Sequence, residues 1–417
     1  MRKSTRRQLL TGESEPAWNP PPMAARSYRR IVGANQRLRI GVLGTGGMGT
    51  AQIRFIVGEA DLARRCNCEV SAVCDVYQPR LDQAASISGG KPFANYQELL
   101  TSGLADGVII TTPEHWHSRM ALDALACGLD VYCQKPMTQT YAQAREVYHA
   151  FRASDRVFQL GTQGVQTTGM QTARELYLAH REALGPRILA QTSACRNSRE
   201  GEWNYGIDRN ARPGENLDWR AFLGPVPYTE YNPEYFFRWR KFRQFSAGPI
   251  SDLLAHVIQY ITHAMGGPDV PRSASCAAGI FAHPDRTVPD STLASIHYGD
   301  YLMLLWSTTA NATPLPTLVR CHRGDLWVGG GRGSVRLVPQ HAFASPDFRQ
   351  REVEPPPDRE DSTILHMAEW MECMRSRKKT SCDIETAYRG MAAIALAQEA
   401  CWSGRTVYLE GEELRYA

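Results

Sequence analysis

An apolar run from Arg37 to Leu43 (RLRIGVL) stops against Gly44-Thr45-Gly46-Gly47-Met48-Gly49, and helix-forming sequence follows from Ala51 to Arg65. Strand, glycine-rich turn of the form G-x-G-x-x-G and helix in direct succession leave few folds open. The first glycine permits the tight turn, the second lets backbone approach a pyrophosphate, and the third lets helix and strand pack closely. The unpaired N–H groups and the dipole of the helix start then favour an anion. A glycine-rich turn needs no ligand by itself, so the surrounding chain decides.

That chain alternates. After the turn come a strand at Glu69–Cys74, a helix at Leu81–Ser88, a buried strand at Gly107–Thr111 and a helix at Ser118–Cys127. A strand at Leu129–Cys133, a helix at Ala142–Ser154 and a strand at Val157–Gly161 follow. Continuous apolar strands separated by helices predict a parallel sheet covered on both faces. An acid, Asp75, ends the second strand. There it can accept the ribose hydroxyls of NAD and repel a 2′-phosphate. Its distance from the glycines is longer than usual, which a long first crossover, Gly58 to Asn67, explains. Context thus turns the motif into a dinucleotide site, with NAD expected and NADP left open by Arg80 nearby.

The rhythm changes after Gly161. Loop-like aromatic sequence fills Cys195 to Phe245. Short strands are predicted at Ser273–Phe281, Leu293–Tyr298, Tyr301–Ser307, Pro316–Cys321, Asp325–Val328 and Ser334–Leu337. Strands this close in sequence favour a mainly antiparallel sheet. Helices at Thr363–Arg375 and Ile384–Ser403 close the chain. The fold class is α/β in two domains, 37–161 and 162–417, behind a tail of residues 1–36. A length of 417 residues favours the split.

Composition excludes several classes. A net charge of +4 with no basic stripe gives no reason for nucleic acid, and no run of apolar residues is long enough to span a membrane. Eleven scattered cysteines are an odd set without a ladder, which points to reduced thiols, and Cys66 with Cys68 is too sparse for zinc. Ser4-Thr5-Arg6-Arg7-Gln8-Leu9-Leu10 looks like a twin-arginine export signal, but Thr11 to Ala25 is acidic and proline-rich where an apolar segment should follow. The cytoplasm is therefore the expected compartment, with export to the periplasm the alternative.

Further motifs carry a family resemblance. Thr112-Pro113-Glu114-His115-Trp116-His117 follows the buried strand, Asp130-Val131-Tyr132-Cys133-Gln134-Lys135-Pro136 ends the next, and Arg238-Trp239-Arg240 precedes Gly248 to His256 (GPISDLLAH). Together with the glycine turn and the closing segment Met374 to Arg405, the chain resembles the glucose–fructose oxidoreductase, inositol dehydrogenase and rhizopine catabolism family (Gfo/Idh/MocA). The resemblance implies a Rossmann domain, then an α/β domain whose large open sheet often mediates homo-oligomers, dimers or tetramers. It implies hydride exchange between nicotinamide and a sugar or polyol carbon. It places Lys135 at the reacting centre, makes Asp252 and His256 a second catalytic pair, and implies a cis bond before Pro136. Cofactor contacts are expected from Gly44, Thr45, Gly46, Gly47, Met48, Gly49, Asp75, Thr112, Pro113, Trp116, His117, Gln134, Lys135 and Gln163.

The residue chemistry agrees. Oxidising a carbinol needs a base for the hydroxyl proton, and imidazole titrates near neutrality. If the stretch is helical, Asp252 lies on the face of His256 and can orient it or hold a neighbouring hydroxyl. Lys135 can stabilise alkoxide charge. Read alone, His256 among Leu253, Leu254, Val257 and Ile258 fits a packed core histidine better than a catalytic one, and Lys135 a solvated strand end. Two departures touch pH dependence: Gln134 stands where the family commonly has glutamate, and Gln259 where it often has an acid. Arg196, Asn197, Trp219, Arg238, Trp239 and Arg240 suit a carbohydrate, which needs apolar stacking and fixed hydrogen bonds. His115 and His117 lack a third ligand, so no metal is expected. The expected function is an NAD-dependent oxidoreductase on a sugar, polyol or glycoside. A redox-neutral glycoside-cleaving enzyme working through a 3-keto intermediate is the alternative, and a non-catalytic sugar or nucleotide sensor a second.

Overall fold

The structure, a computed structural model, describes residues 36–58, 61–267, 269–329 and 333–417. The tail, with its twin-arginine motif, lies outside them apart from Gln36. Six strands form the first sheet: β1 (Leu38–Leu43), β2 (Cys68–Cys74), β3 (Lys91–Phe93), β4 (Gly107–Ile110), β5 (Asp130–Gln134) and β6 (Phe158–Gly161). All run parallel in the order β3-β2-β1-β4-β5-β6. This is the doubly wound order of dinucleotide-binding folds, and its switch point lies between β1 and β4 at their carboxyl ends. β4 and β5 are buried at every residue, as a sheet covered on both faces requires.

Local differences have local causes. The helix expected at Ala51–Arg65 begins at Gly47 and stops at Val57, where Gly58 closes it on the Arg54 carbonyl. β3 and the helix Tyr96–Thr101, capped by the Asn95 side chain, were too short to show a period. The helix expected from Ser118 starts at Glu114, directly after Pro113, so Glu114 to His117 form its first turn. Proline suits the position ahead of a helix because its missing N–H removes nothing there.

Ten strands form the second sheet: β7 (Arg187–Cys195), β8 (Ser273–Gly279), β9 (Ser291–His297), β10 (Leu302–Thr308), β11 (Thr317–Cys321), β12 (Gly324–Val328), β13 (Val335–Pro339), β14 (Arg351–Val353), β15 (Val407–Glu410) and β16 (Glu413–Tyr416). Their order is β14-β13-β12-β11-β7-β10-β9-β8-β15-β16, and only β7 with β10 is parallel. The sheet is mainly antiparallel, as expected. β7, at its middle, was not foreseen: ILAQTSAC is poor in β-branched residues. The helix before it, Thr168–Leu184, was missed as well. Helices Leu254–Ala264 and Ile384–Ser403 cover one face. The other face carries Leu293 and Leu302, both exposed.

The helix Ser362–Ser376 returns to the first sheet. Met367, Trp370, Met371 and Met374 pack with Leu38, Ile40, Ile109 and Tyr132, and Arg377 makes a two-pronged bond to the buried Asp130 at 2.9 and 2.7 Å. No cysteine is in a disulfide. No helix among the described residues is long and apolar enough to cross a membrane.

Candidate active site

The glycine turn joins β1 to the helix Gly47–Val57. Gly44 has φ +85°, and a Cβ there would meet the Thr112 backbone nitrogen at 2.8 Å. A Cβ on Gly49 would lie 2.1 Å from the Gly44 carbonyl oxygen and 2.7 Å from Thr111 Oγ1, so helix and strand touch through this residue. Over Gly46 and Gly47 the space is open: a Cβ on Gly46 would meet only Arg80 at 3.7 Å, and one on Gly47 nothing within 4 Å. No side chain caps the helix start. A groove of about 400 Å³, lined by Thr45, Gly46, Gly47, Thr50, Arg54, Arg80 and neighbours, runs over it. Open backbone, uncapped N–H groups and two arginines fit the pyrophosphate of a dinucleotide. Met48 points outward, 45% exposed.

Asp75 stands at the end of β2, but its carboxylate is engaged. It accepts from Thr45 N at 2.7 Å, Thr45 Oγ1 at 3.2 Å and Tyr77 N at 2.9 Å. The acid therefore shapes the glycine turn, and it is buried behind the groove rather than among the residues that line it. Sequence spacing does not show this.

Lys135 directly follows β5, on a cis peptide to Pro136. Its Nζ donates to Asp252 Oδ1 at 2.6 Å and to the Asp252 carbonyl at 2.7 Å. Arg240 Nε donates to the same Oδ1 at 2.9 Å. Burial alone would raise the Asp252 pKa, but Lys135 and Arg240 outweigh it and hold the carboxyl well below the usual range. Burial lowers Lys135, and attraction to Asp252 offsets this only in part. Asp252 lies in a π-helical turn, Pro249–Leu253, that leads into the helix Leu254–Ala264. Such wide turns mark functional positions more often than chance.

His256 lies one turn on, half-buried. The pair does not meet as expected. The carboxylate binds the two cations, while His256 Nδ1 lies 3.2 Å from the hydroxyl of Tyr260, a residue the sequence reading passed over although it sits one helical turn away. The Gly164 N–H bonds the Tyr260 oxygen. Burial first, then Lys135, pushes the His256 pKa down to about 3. It does not titrate near neutrality, because burial and then the neighbouring cations disfavour its charged form; it is a neutral imidazole there. Gln134 packs on Gly161, its Nε2 buried without a partner among the described residues. Gln163 donates to the Tyr132 hydroxyl at 3.1 Å, and Gln259 to the Thr386 carbonyl at 3.3 Å.

The Thr112–His117 segment locks loops together. Thr112 lies against Gly44, with Pro113 beside it half-buried. The His117 ring lies between the Pro136 carbonyl (Nδ1, 2.7 Å) and the Thr112 carbonyl (Nε2, 2.9 Å), and its single N–H donates to one of them. Trp116 Nε1 donates to the Phe222 carbonyl at 2.9 Å, so its ring docks a distant loop. Burial pushes both His115 and His117 down to about 4. Glu114 is fully buried. One oxygen accepts from Ser246 (2.7 Å) and Ser251 (3.0 Å), and the other has no partner among the described residues. Burial raises its pKa from 4.5 to about 7. A carboxyl raised in the folded state contributes stability below its unfolded pKa that is lost as pH rises through the folded one. Over pH 4.5 to about 7 Glu114 therefore subtracts from the rise in Tm that the buried neutral His115, His117 and His256 contribute, and Glu114→Gln should steepen that rise. Equal slopes in the two proteins would show an ordinary carboxylate.

The substrate candidates divide. Arg196 and Asn197 are exposed just beyond β7, with Arg196 in electrostatic reach of His256. Trp239 stacks on Arg240, guanidinium 4.2 Å from the ring. Trp219 is buried, stacked on Phe222, and donates to the Thr229 carbonyl. Arg238 is held by Glu234 and the Tyr205 carbonyl. It borders a larger hollow of about 680 Å³ whose charges pair internally, Lys241 with Asn204, Glu234 and Asp285. Trp219 and Arg238 thus serve the packing of the aromatic loops. Among the described residues no cluster of three acids, histidines or cysteines is placed to hold a metal.

Residues 38–162 match the oxidoreductase family model for an NAD-binding Rossmann fold, and residues 223–409 match the C-terminal alpha/beta domain of the same family. The chain belongs to the Gfo/Idh/MocA oxidoreductase family. The cofactor of that first domain is NAD, which the turn and groove accommodate. An inositol 2-dehydrogenase of Leifsonia xyli is 35% identical over 119 residues, 28% of this chain and 34% of that protein. An uncharacterized oxidoreductase of Streptococcus pneumoniae is 23% identical over 72% of this chain and 68% of its own length. The match to the first of these spans about a third of its length. A levoglucosan dehydrogenase in complex with NADH and L-sorbose superposes with a TM-score of 0.69 over 90% of this chain and 99% of that one, at 15% identity, which is a likeness of fold.

Proposed function

We propose that the protein transfers hydride between bound NAD and a hydroxyl carbon of a sugar, polyol or glycoside. The observation that carries this is the ion pair of Lys135 with Asp252, set at the end of β5 and within electrostatic reach of His256. The names of the inositol 2-dehydrogenase and levoglucosan dehydrogenase relatives point to the same substrate class.

NAD would be held by Gly44 to Gly49, Asp75 and Gln134, and when bound it would supply the hydride acceptor. The chain supplies the rest. Two N–H bonds of Lys135 go to Asp252, and the third is left for the reacting oxygen, whose developing charge it stabilises. Asp252 Oδ2, which accepts from no described residue, holds an adjacent hydroxyl. With its proton on Nδ1, donated to Tyr260, His256 keeps a lone pair on Nε2 to receive the hydroxyl proton. Removing that proton as charge develops is what a neutral imidazole can do and an imidazolium cannot.

A panel of sugars, polyols and aryl glycosides tests this with NAD in excess. NADH accumulation is the expected result. Aglycone release without net NADH would assign the redox-neutral reaction instead, and neither signal would leave a sensor. Exposed Leu293 and Leu302 on the outer face of the second sheet support a homodimer or tetramer built on it, and a monomer mass by light scattering would remove that part.

A further inference from the structure

We infer that the substrate carries an anionic group, a carboxylate or a phosphate, received by the Arg240 guanidinium with the exposed Arg196 beside it. The inference rests on the sugar reading above and narrows it.

Arg240 is the residue of the Arg238-Trp239-Arg240 motif that packing does not consume. Its Nε is fixed on Asp252 at 2.9 Å and its plane on the Trp239 ring. Its two terminal nitrogens meet no acceptor among the described residues, and the side chain is 25% exposed. A guanidinium held by one edge and one face presents the remaining fork to a planar or tetrahedral oxyanion. A neutral hydroxyl would use only part of it.

The charge balance points the same way. Around His256 stand three cations, Lys135 from just after β5, Arg240 from the turn Trp239–Lys241 and Arg196 from beyond β7, against a single fully ionised acid, Asp252. His115 and His117 are neutral, and Glu114 is buried and half-protonated near neutrality. A neutral sugar covering Lys135 and Arg240 would take their positive charge out of water without supplying a counterion, which is costly. An anionic group would balance it. It would also offset the part of the His256 depression that Lys135, Arg196 and Arg240 add to burial, so it would act on turnover as well as on affinity.

Calorimetric titration of the NAD-loaded protein with matched sets of neutral hexoses, their uronic acids and their 6-phosphates tests this. In at least one set the acid or the phosphate should bind about tenfold or more tightly than the neutral sugar, with the advantage shrinking in salt. Uronic acids and phosphates in separate arms tell which anion the site takes. Arg240→Gln should abolish the advantage, and Arg240→Lys should not restore it fully. Arg196→Gln, at an exposed position that folding does not need, should reduce it. Neutral sugars binding as tightly as both anions, or anion affinity unchanged in both glutamine variants, would overturn the inference and leave the sugar reading standing. No binding and no turnover in any arm would overturn both.

Discussion

Lys135→Met is expected to lower turnover by about two to four orders of magnitude, the range for losing a positioned acid or base group, while NADH still binds. The glycine turn and its groove lie on other elements, and methionine keeps the length of the side chain. The fold should survive. Asp252 retains Arg240 at 2.9 Å, so the loss should stay below the roughly 3–5 kcal/mol seen when a buried charge loses its only partner. NADH fluorescence titration checks binding, thermal melting checks the fold, and initial rates check turnover. Wild-type rates in this variant would remove Lys135 from the chemistry.

Gly49→Ala should act at the other end of the site. Its Cβ would fall 2.1 Å from the Gly44 carbonyl oxygen, and backbone cannot swing aside as a side chain can. Either the helix Gly47–Val57 lifts off β1 or the turn opens, so the N–H groups leave the pyrophosphate position. The expected cost is at least the roughly 1–3 kcal/mol of an overpacked core, with NADH affinity falling sharply. Gly47→Ala is the control: its Cβ meets nothing within 4 Å, so its Tm should hold. A Gly49→Ala protein with both wild-type Tm and NADH affinity would contradict the packing described.

The first sheet was legible because β1, β4 and β5 are continuous apolar runs, each close before a helix pattern, and the glycine turn fixed where the sheet binds its ligand. β7 was not legible: its place at the centre of ten strands comes from pairing with β10 and β11, far away in the chain. Lys135 and Asp252 stand 117 residues apart and were joined in advance only through resemblance. What the motifs could not carry was electrostatic environment. His256 reads as a near-neutral titrating group until its burial and the three cations around it are seen. Trp219 and Arg238 read as sugar ligands until Thr229, Glu234 and the Tyr205 carbonyl occupy them. Glu114 gave a weaker signal, an acid in a helix first turn, which usually means no more than a favourable dipole.

The most direct test of the account is NADH formation by the wild-type protein and the Lys135→Met variant, side by side, across the sugar panel. The account predicts NADH accumulation with a hydroxyl-bearing sugar, polyol or sugar acid in the wild type and its near loss in the variant at equal NADH affinity. NADH formation at the same rate in both, or none in either with NAD bound, would contradict it.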